Sequence, residues 1–238
     1  MPRTHLYSSM NHYLHAFIDL LFPNLCIVCA ESLVKGEHQI CLKCLSQIPK
    51  TNYHLMTGNP VEKKFWGKVP VEMASSFYFF QKGSGFQKLM HELKYRGNKE
   101  IGELLGKYAA VDLIENDNYK DIDVIIPVPL HPKKQLKRGY NQSEWICKGL
   151  SSVLEKPMNT DSLIRVQENT TQTKKSVYER YENTMGIFQL KEPNELNDIH
   201  VLLVDDVLTT GSTLEACIQA LHKAKNVKVS VFTLAVAQ

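Results

Sequence analysis

Apolar residues recur in two patterns along this chain of 238 residues. Continuous runs of Val, Ile and Leu, such as residues 201–204, predict strands that are buried on both faces. A period of three to four residues, as for Phe86, Leu89 and Leu93, predicts an amphipathic helix. The predicted strands are 73–80, 123–130, 161–166, 200–206 and 227–237, and the predicted helices are 85–97, 101–115, 141–155, 176–188 and 212–226.

The predicted strands and helices alternate from residue 71 onwards. Such alternation is typical of an α/β fold with a mostly parallel sheet flanked by helices, in which ligands bind beyond the carboxyl ends of the strands. A weak apolar period predicts a helix in 1–24, cysteines cluster in 25–50, and turn residues in 51–70 predict a linker. We therefore predict a small cysteine module that precedes an α/β domain spanning 71–238.

The strand predicted at 200–206 ends in two carboxylates, those of Asp205 and Asp206, and a turn rich in hydroxyl groups follows. Gly211 permits a positive φ and a close approach of the backbone to a ligand. N–H groups at the start of the next predicted helix, together with the helix dipole, favour an anion. Four hydroxyl side chains add further donors, namely those of Thr209, Thr210, Ser212 and Thr213.

Carboxylates accept hydrogen bonds from neutral hydroxyls but repel phosphate oxygens. A ligand with a diol at one end and a phosphate at the other, such as a ribose 5-phosphate, therefore satisfies both halves of residues 205–213. The alternative interpretation is a helix cap made by Ser or Thr, with the two aspartates as surface charges.

Four cations follow the strand predicted at 123–130, with no acidic residue among them, namely Lys133, Lys134, Lys137 and Arg138. Charge-assisted hydrogen bonds to phosphates are strong, and arginine adds bidentate geometry. Single-stranded nucleic acid is a second natural partner, with Tyr140 as a stacking surface. A solvated basic face is the alternative.

The run VLLVDDVLTTGST (201–213) closely resembles the phosphoribosyl pyrophosphate (PRPP) motif of type I phosphoribosyltransferases. The resemblance implies that Asp205 and Asp206 bind the ribose 2′- and 3′-hydroxyls and that residues 209–213 wrap the 5-phosphate. In that family the loop after an early strand binds pyrophosphate. Pro127, Val128 and Pro129 fit that position in chain order, although a rigid strand exit is the alternative for the two prolines, which have no N–H. We therefore expect pyrophosphate contacts from Val128, Pro129 and Leu130, together with the cation of Arg138.

Segments 93–106, 127–142 and 201–213, in this order behind a four-cysteine N-terminus, resemble the ComF family of competence-associated proteins. The resemblance implies a role in DNA uptake, with single-stranded DNA and competence proteins as partners. Between these segments the chain matches residues that the family shows at fixed spacing, namely Arg165, Thr170, Gln172, Arg180 and Asn183.

Residues 167–176 are polar and lack apolar anchors. We predict that they form a mobile loop that closes over the reaction centre, with an ordinary surface loop as the alternative. Lys174 and Lys175 of this segment, with Arg165 and Arg180 beside it, are candidate contacts to nucleic acid.

Four cysteines are spaced as C-x2-C-x11-C-x2-C, namely Cys26, Cys29, Cys41 and Cys44. Thiolates two residues apart can share one tetrahedral Zn²⁺, and a second such pair completes its coordination. A closed site of this kind has no open position for substrate, so its role is structural or in an interaction rather than catalytic. Disulfides and an iron–sulfur cluster are the alternatives. The ComF resemblance also implies zinc.

The net charge of +3 is mild, so it neither requires nor excludes an anionic partner. The sequence has no uninterrupted apolar run of membrane-spanning length and no signal-peptide pattern. We therefore expect a cytoplasmic protein without membrane insertion.

Two functional hypotheses follow. The first is an enzyme that transfers the 5-phosphoribosyl group from PRPP, with Mg²⁺, to a nitrogen acceptor; the sequence identifies neither the acceptor nor a general base. The second is a non-catalytic module that senses PRPP or a nucleotide, while its zinc module and basic segment hold single-stranded DNA.

Overall fold

A computed structural model describes residues 23–166 and 186–237. The predicted loop 167–176 and most of the predicted helices 1–24 and 176–188 lie outside these residues. Several predicted site residues also lie outside them, namely Thr170, Gln172, Lys174, Lys175, Arg180 and Asn183. Within the described ranges, no helix has the length and apolar character needed to cross a membrane.

The described residues contain strands β1 (Ala74–Phe80), β2 (Val124–Pro127), β3 (Leu163–Arg165), β4 (Phe188–Leu190), β5 (His200–Leu208) and β6 (Lys228–Ala237). Their α-helices are α1 (Leu42–Ser46), α2 (Gly85–Tyr95), α3 (Glu100–Leu113), α4 (Pro132–Arg138), α5 (Gln142–Leu154) and α6 (Ser212–Leu221). Short 3₁₀ helices span Tyr53–Leu55, Glu62–Lys64, Asp117–Tyr119 and Pro193–Leu196.

Strands β1, β6, β5 and β2 form, in this spatial order, one parallel sheet. Val204 of β5 pairs with Pro127 of β2, and Asp205 pairs with Thr233 of β6. This arrangement confirms the predicted α/β class. The strand predicted at 161–166 does not join this sheet, because β3 pairs antiparallel with β4 in a separate two-stranded ribbon. Phe188, predicted in a helix, begins β4.

Apolar side chains cover both faces of the sheet and form two cores. The first core joins the sheet to α2, α3 and α5, and the second joins it to α6, β3 and β4. Helices α3 and α5 approach so closely that a methyl group on Gly149 would lie 2.2 Å from the carbonyl oxygen of Glu103. Glycine is required there, and the close contact fixes α5, whose first turn reaches the carboxyl edge of the sheet.

The cysteine module packs on the first core. Cys26 and Ile40 are buried in one cluster with Phe77 of β1. Residues 49–51 run along the outer edge of β1, where the N–H of Thr51 donates to the carbonyl oxygen of Phe77 over 2.9 Å. Because β1 is an edge strand, this pairing covers backbone groups that would otherwise be open to another chain.

Residues 51–70, whose composition predicts a linker, are packed against the second core. Val61, Phe65 and Val69 are buried at a spacing of four residues. The side-chain amide of Asn59 donates to the carbonyl oxygen of Ala74 over 2.9 Å and ties the segment to β1. Turn residues predicted the bends of this segment, but they did not show that its apolar side chains are buried.

Candidate functional site

The carboxyl ends of β2 and β5 lie side by side, because the two strands are parallel neighbours. Strand β5 continues to Leu208, two residues beyond its predicted end at 206, so Asp205 and Asp206 lie inside the strand rather than at its end. Asp206 is only 5% exposed. The fold therefore brings together predicted site residues from two separate parts of the chain at one enclosed edge.

Asp205 accepts two hydrogen bonds on one carboxylate oxygen. The hydroxyl of Ser143 lies 3.0 Å from Asp205 Oδ1, and the N–H of Asp206 lies 2.9 Å from the same atom. Burial and the negative charge of Asp206 raise the pKa of Asp205 to about 7, although these hydrogen bonds and Lys94 oppose the rise. Asp205 therefore changes charge near neutral pH.

Asp206 forms an ion pair with Lys94 of α2, whose Nζ lies 3.0 Å from Asp206 Oδ2. The contact lacks hydrogen-bond geometry, and Oδ2 is buried without a hydrogen-bond donor among the described residues. The Lys94 ammonium offsets part of the charge of two adjacent carboxylates. Neither Lys94 nor Ser143 was predicted as a site residue. Lys94 lies within the ComF-like segment 93–106 and Ser143 directly follows the segment 127–142, which is the signal that could have found them.

Residues 209–213 form the turn between β5 and α6. Gly211 precedes the first residue of the helix with φ of +91°, a conformation that favours glycine. Oγ1 of Thr210 and Oγ of Ser212 lie 3.2 Å apart, and both side chains are exposed, as are those of Thr209 and Thr213. Exposed hydroxyls at the start of a helix are what an anion cradle needs.

The exit from β2 offers fewer donors than the sequence suggests. The N–H of Val128 donates to the carbonyl oxygen of Val204 over 2.8 Å, and Asn141 Nδ2 donates to the carbonyl oxygen of Val128 over 3.0 Å. Pro129 has no N–H. Among the described residues, the N–H of Leu130 has no hydrogen-bond partner. Val128 and Pro129 therefore shape the exit, and of the three only Leu130 presents a free backbone donor.

The basic segment forms the short helix α4 directly after this exit. None of its side chains is buried, and Leu136 is 88% exposed. Lys133, Lys134 and Lys137 are exposed, whereas Arg138 at the end of the helix is half-buried. Arg138 donates to the side-chain oxygen of Gln142, and its guanidinium lies 5.9 Å from the centre of the Tyr95 ring. Arg138 is thus held at the carboxyl edge, while the three lysines extend into solvent.

Tyr140 and Arg165 are held within the fold. The ring of Tyr140 packs on the first core, and its hydroxyl donates to the carbonyl oxygen of Leu93. The guanidinium carbon of Arg165 lies 5.3 Å from the centre of the Phe188 ring. Because Tyr140 is packed in this way, the structure favours a structural role for it over the base stacking that the sequence suggests.

The four cysteine sulfurs converge, and all lie within 4.8 Å of one another. Cys29 Sγ and Cys41 Sγ are 3.8 Å apart. A tetrahedron with Zn–S bonds of about 2.3 Å has edges of roughly 3.8 Å, whereas disulfide sulfurs are separated by about 2.05 Å. The arrangement therefore fits one Zn²⁺ with four thiolate ligands and no open position.

Backbone N–H groups are directed at these sulfurs. The N–H of Cys41 lies 3.4 Å from Cys26 Sγ, and the N–H of Cys44 lies 3.4 Å from Cys41 Sγ. Burial alone would raise the pKa of the Cys26 thiol, but the N–H groups of Cys29, Cys41 and Val28 outweigh it and lower this pKa to about 6. Burial and the neighbouring cysteine sulfurs instead raise the pKa of Cys44. Since metals bind the thiolate, these N–H groups favour a bound cation at Cys26, whereas Cys44 loses its proton only when the metal binds.

Two family models match this chain. Residues 141–237 match the phosphoribosyl transferase domain, and residues 17–64 match the double zinc ribbon domain. The matched ribbon segment contains four cysteines, the number that one structural zinc requires. Fold and matches together define an α/β protein with a phosphoribosyltransferase-like domain and an N-terminal zinc ribbon.

Relatives of similar length match almost the whole chain. Competence protein F of Haemophilus influenzae is 30% identical over an alignment of 224 positions, which covers 88% of this chain and 96% of that protein. The DNA utilization protein YhgH of Escherichia coli K12 is 27% identical and covers 90% and 98% of the two chains. Competence protein ComFC of Bacillus subtilis is 27% identical and covers 85% and 86%. The chain belongs to the ComF family of competence proteins.

Replacement of Cys26, Cys29, Cys41 and Cys44 by serine should remove bound metal and destabilise the protein, because the module packs on the first core. Elemental analysis of the wild-type protein should find about one zinc per chain and none in the fourfold variant. A Cys217→Ala variant is the control, and it should retain the metal. Iron in place of zinc in the wild-type protein would contradict the zinc assignment.

The Asp205→Asn substitution should stabilise the protein more at pH 8 than at pH 5. The pKa of Asp205 is raised to about 7 in the folded state, so the folded state holds a proton that the unfolded state releases at lower pH. The proton on Asp205 therefore stabilises the folded wild-type protein at low pH, and this stabilisation is lost as pH rises through about 7. Urea unfolding of both proteins at the two pH values measures the difference, and an equal effect at both would contradict the assignment. Asp121→Asn, an exposed site before β2, is the control.

Proposed function

We propose that the carboxyl edge of β2 and β5 binds PRPP. The observation that carries the proposal is the order of the chemical groups along this edge: two adjacent carboxylates in β5, then the turn at Gly211 and the start of α6. All of these groups lie inside the segment that matches a phosphoribosyl transferase domain. In this proposal Asp205 and Asp206 accept hydrogen bonds from the ribose hydroxyls. The Lys94 ammonium, 3.0 Å from Asp206 Oδ2, supplies a positive charge beside that carboxylate.

The two phosphate-bearing ends of PRPP would lie on either side of the ribose. The 5-phosphate would contact the turn 209–213, where hydroxyls and helix N–H groups converge. The pyrophosphate would lie at the exit of β2, near the free N–H of Leu130 and the guanidinium of Arg138. Carboxylate oxygens of Asp205 and Asp206 are the ligand type that Mg²⁺ prefers, and Mg²⁺ bound with PRPP would neutralise charge on the leaving pyrophosphate.

Transfer would break the bond between the anomeric carbon and pyrophosphate and form a bond to a nitrogen acceptor, which loses a proton. The transition state is cation-like, so the protein contributes mainly by positioning these groups and by excluding water. No described residue is assigned as the general base. The reduced cysteines of the metal site suit the cytoplasm, where we propose that the protein acts.

The Asp206→Asn substitution should abolish measurable PRPP binding or weaken it at least tenfold, because a charge-assisted hydrogen bond to the ribose is lost. Calorimetry with PRPP and Mg²⁺ measures the affinity. Asp121→Asn changes an exposed carboxylate before β2 and should bind like the wild-type protein.

A panel of nucleobases and amines then separates the two functional hypotheses. Release of pyrophosphate that depends on an acceptor, and that disappears in Asp206→Asn, supports the enzyme. Binding of PRPP without release supports the sensing module. A wild-type protein that does not bind PRPP would overturn the proposal.

We propose as a second function that helix α4 contacts single-stranded DNA. The observation that favours it is the exposure of residues 132–137, which include three lysines, in a helix with no buried side chain. Names of the relatives refer to DNA utilization and competence, and we propose other competence proteins as its protein partners. Lysine ammonium groups would contact phosphates without sequence preference.

Replacement of Lys133 and Lys134 by alanine should weaken single-stranded DNA binding and reduce the slope of log K against log[salt] by up to about two, because two phosphate contacts are lost. Fluorescence anisotropy with a labelled oligonucleotide at several salt concentrations measures the slope. The double variant Lys223→Ala/Lys225→Ala removes two exposed lysines after α6 and serves as the control. An equal slope in both double variants would exclude a specific contact by α4.

A further inference from the structure

The turn 209–213 contains no basic residue, so it has hydroxyl and N–H donors but no cation of its own. A phosphate group carries up to two negative charges near neutral pH. Glu215 lies in the first turn of α6 and is buried, so its carboxylate adds a negative charge close to where the phosphate would bind. Positive charge from another part of the chain would therefore strengthen the binding of a phosphate at this turn.

Residues 59–69, between the cysteine module and the sheet, supply that charge. Phe65 is completely buried, and its ring lies 3.7 Å from where a Cβ on Gly211 would be. This packing brings the neighbouring lysines to the turn. Lys64 Nζ lies 3.2 Å from the carbonyl oxygen of Thr209, and Lys68 Nζ lies 2.8 Å from Glu215 Oε1.

The two lysines have different roles in this arrangement. Lys68 is paired with Glu215 and cancels the charge that would repel a phosphate. The Lys64 ammonium has three donors and uses one of them on the turn, so two remain for a ligand. Lys64 also lines an open cavity of about 380 Å³ at the carboxyl ends of β1 and β6, so solvent and ligands can reach it.

We propose that Lys64 is a phosphate-binding residue of this site. Residues 59–69, which follow the zinc module, position it beside the turn 209–213. The inference rests on the proposed function, because the phosphate is that of a phosphoribosyl ligand. It makes the N-terminal part of the chain a structural part of the ligand site rather than an independent appendage.

Lys64→Gln tests the role of the charge. The glutamine amide can still donate to the carbonyl oxygen of Thr209, but it carries no charge. Affinity for PRPP and for ribose 5-phosphate, measured by calorimetry with Mg²⁺, should fall about tenfold to a hundredfold. The fall should be similar for both ligands, because they share the 5-phosphate and differ in the pyrophosphate. Lys64→Arg should restore most of the affinity.

Lys63→Gln is the matched control. Lys63 is the adjacent residue and lines the same cavity, but its Nζ lies 5.9 Å from the centre of the Trp66 ring and makes no contact with the turn. It should bind both ligands within about twofold of the wild-type protein. Thermal unfolding should be similar for the two glutamine variants, which separates loss of a ligand contact from loss of folding.

The outcomes distinguish the inference from the proposed function. If the wild-type protein binds PRPP and Lys64→Gln binds it as tightly as Lys63→Gln does, the inference is overturned and the proposed function stands. If the wild-type protein binds neither ligand, both are overturned. A selective loss in Lys64→Gln with rescue by arginine supports both.

Discussion

The pairing of β5 with a parallel strand on each side is the constraint on which the rest of the structure depends. Its apolar run is hydrogen-bonded to β2 and β6 and is covered on both faces, so it has one stable register. A shift of β5 by one residue towards the amino ends of its neighbours would move Asp205 and Asp206 further between the two apolar cores. The same pairing places the end of β2 beside the end of β5, so the residues that follow the two strands lie at the same edge of the sheet.

Two carboxylates next to each other in an enclosed position are electrostatically unfavourable. The structure offsets this cost with a cation from α2, at Lys94, and a hydroxyl from α5, at Ser143. Compensation is partial, because the pKa of Asp205 remains raised to about 7. Adjacent carboxylates of this kind destabilise the free protein but can accept hydrogen bonds from a diol. They are therefore expected at a ligand site rather than at a purely structural one.

The N-terminal part of the chain is continuous with the sheet domain. Its cysteines share a core with β1, residues 49–51 cover the edge of β1, and Phe65 packs beside the turn at Gly211. Binding of zinc in the module therefore stabilises a surface on which the sheet domain packs. This continuity gives a physical reason for the two parts to occur in one chain.

The sequence by itself determined the class of the fold, the strand that carries Asp205 and Asp206, the turn at Gly211 and the four cysteines. These features depend on local patterns: continuous apolar runs, a glycine among hydroxyl residues, and paired cysteines separated by two residues. Lys94, Ser143 and Lys64, the bonding of Val128, and the packing of 51–70 depend on contacts between distant segments. Such contacts depend on how helices and strands pack against one another. Local sequence patterns do not predict that packing, so only the tertiary structure decided these contacts.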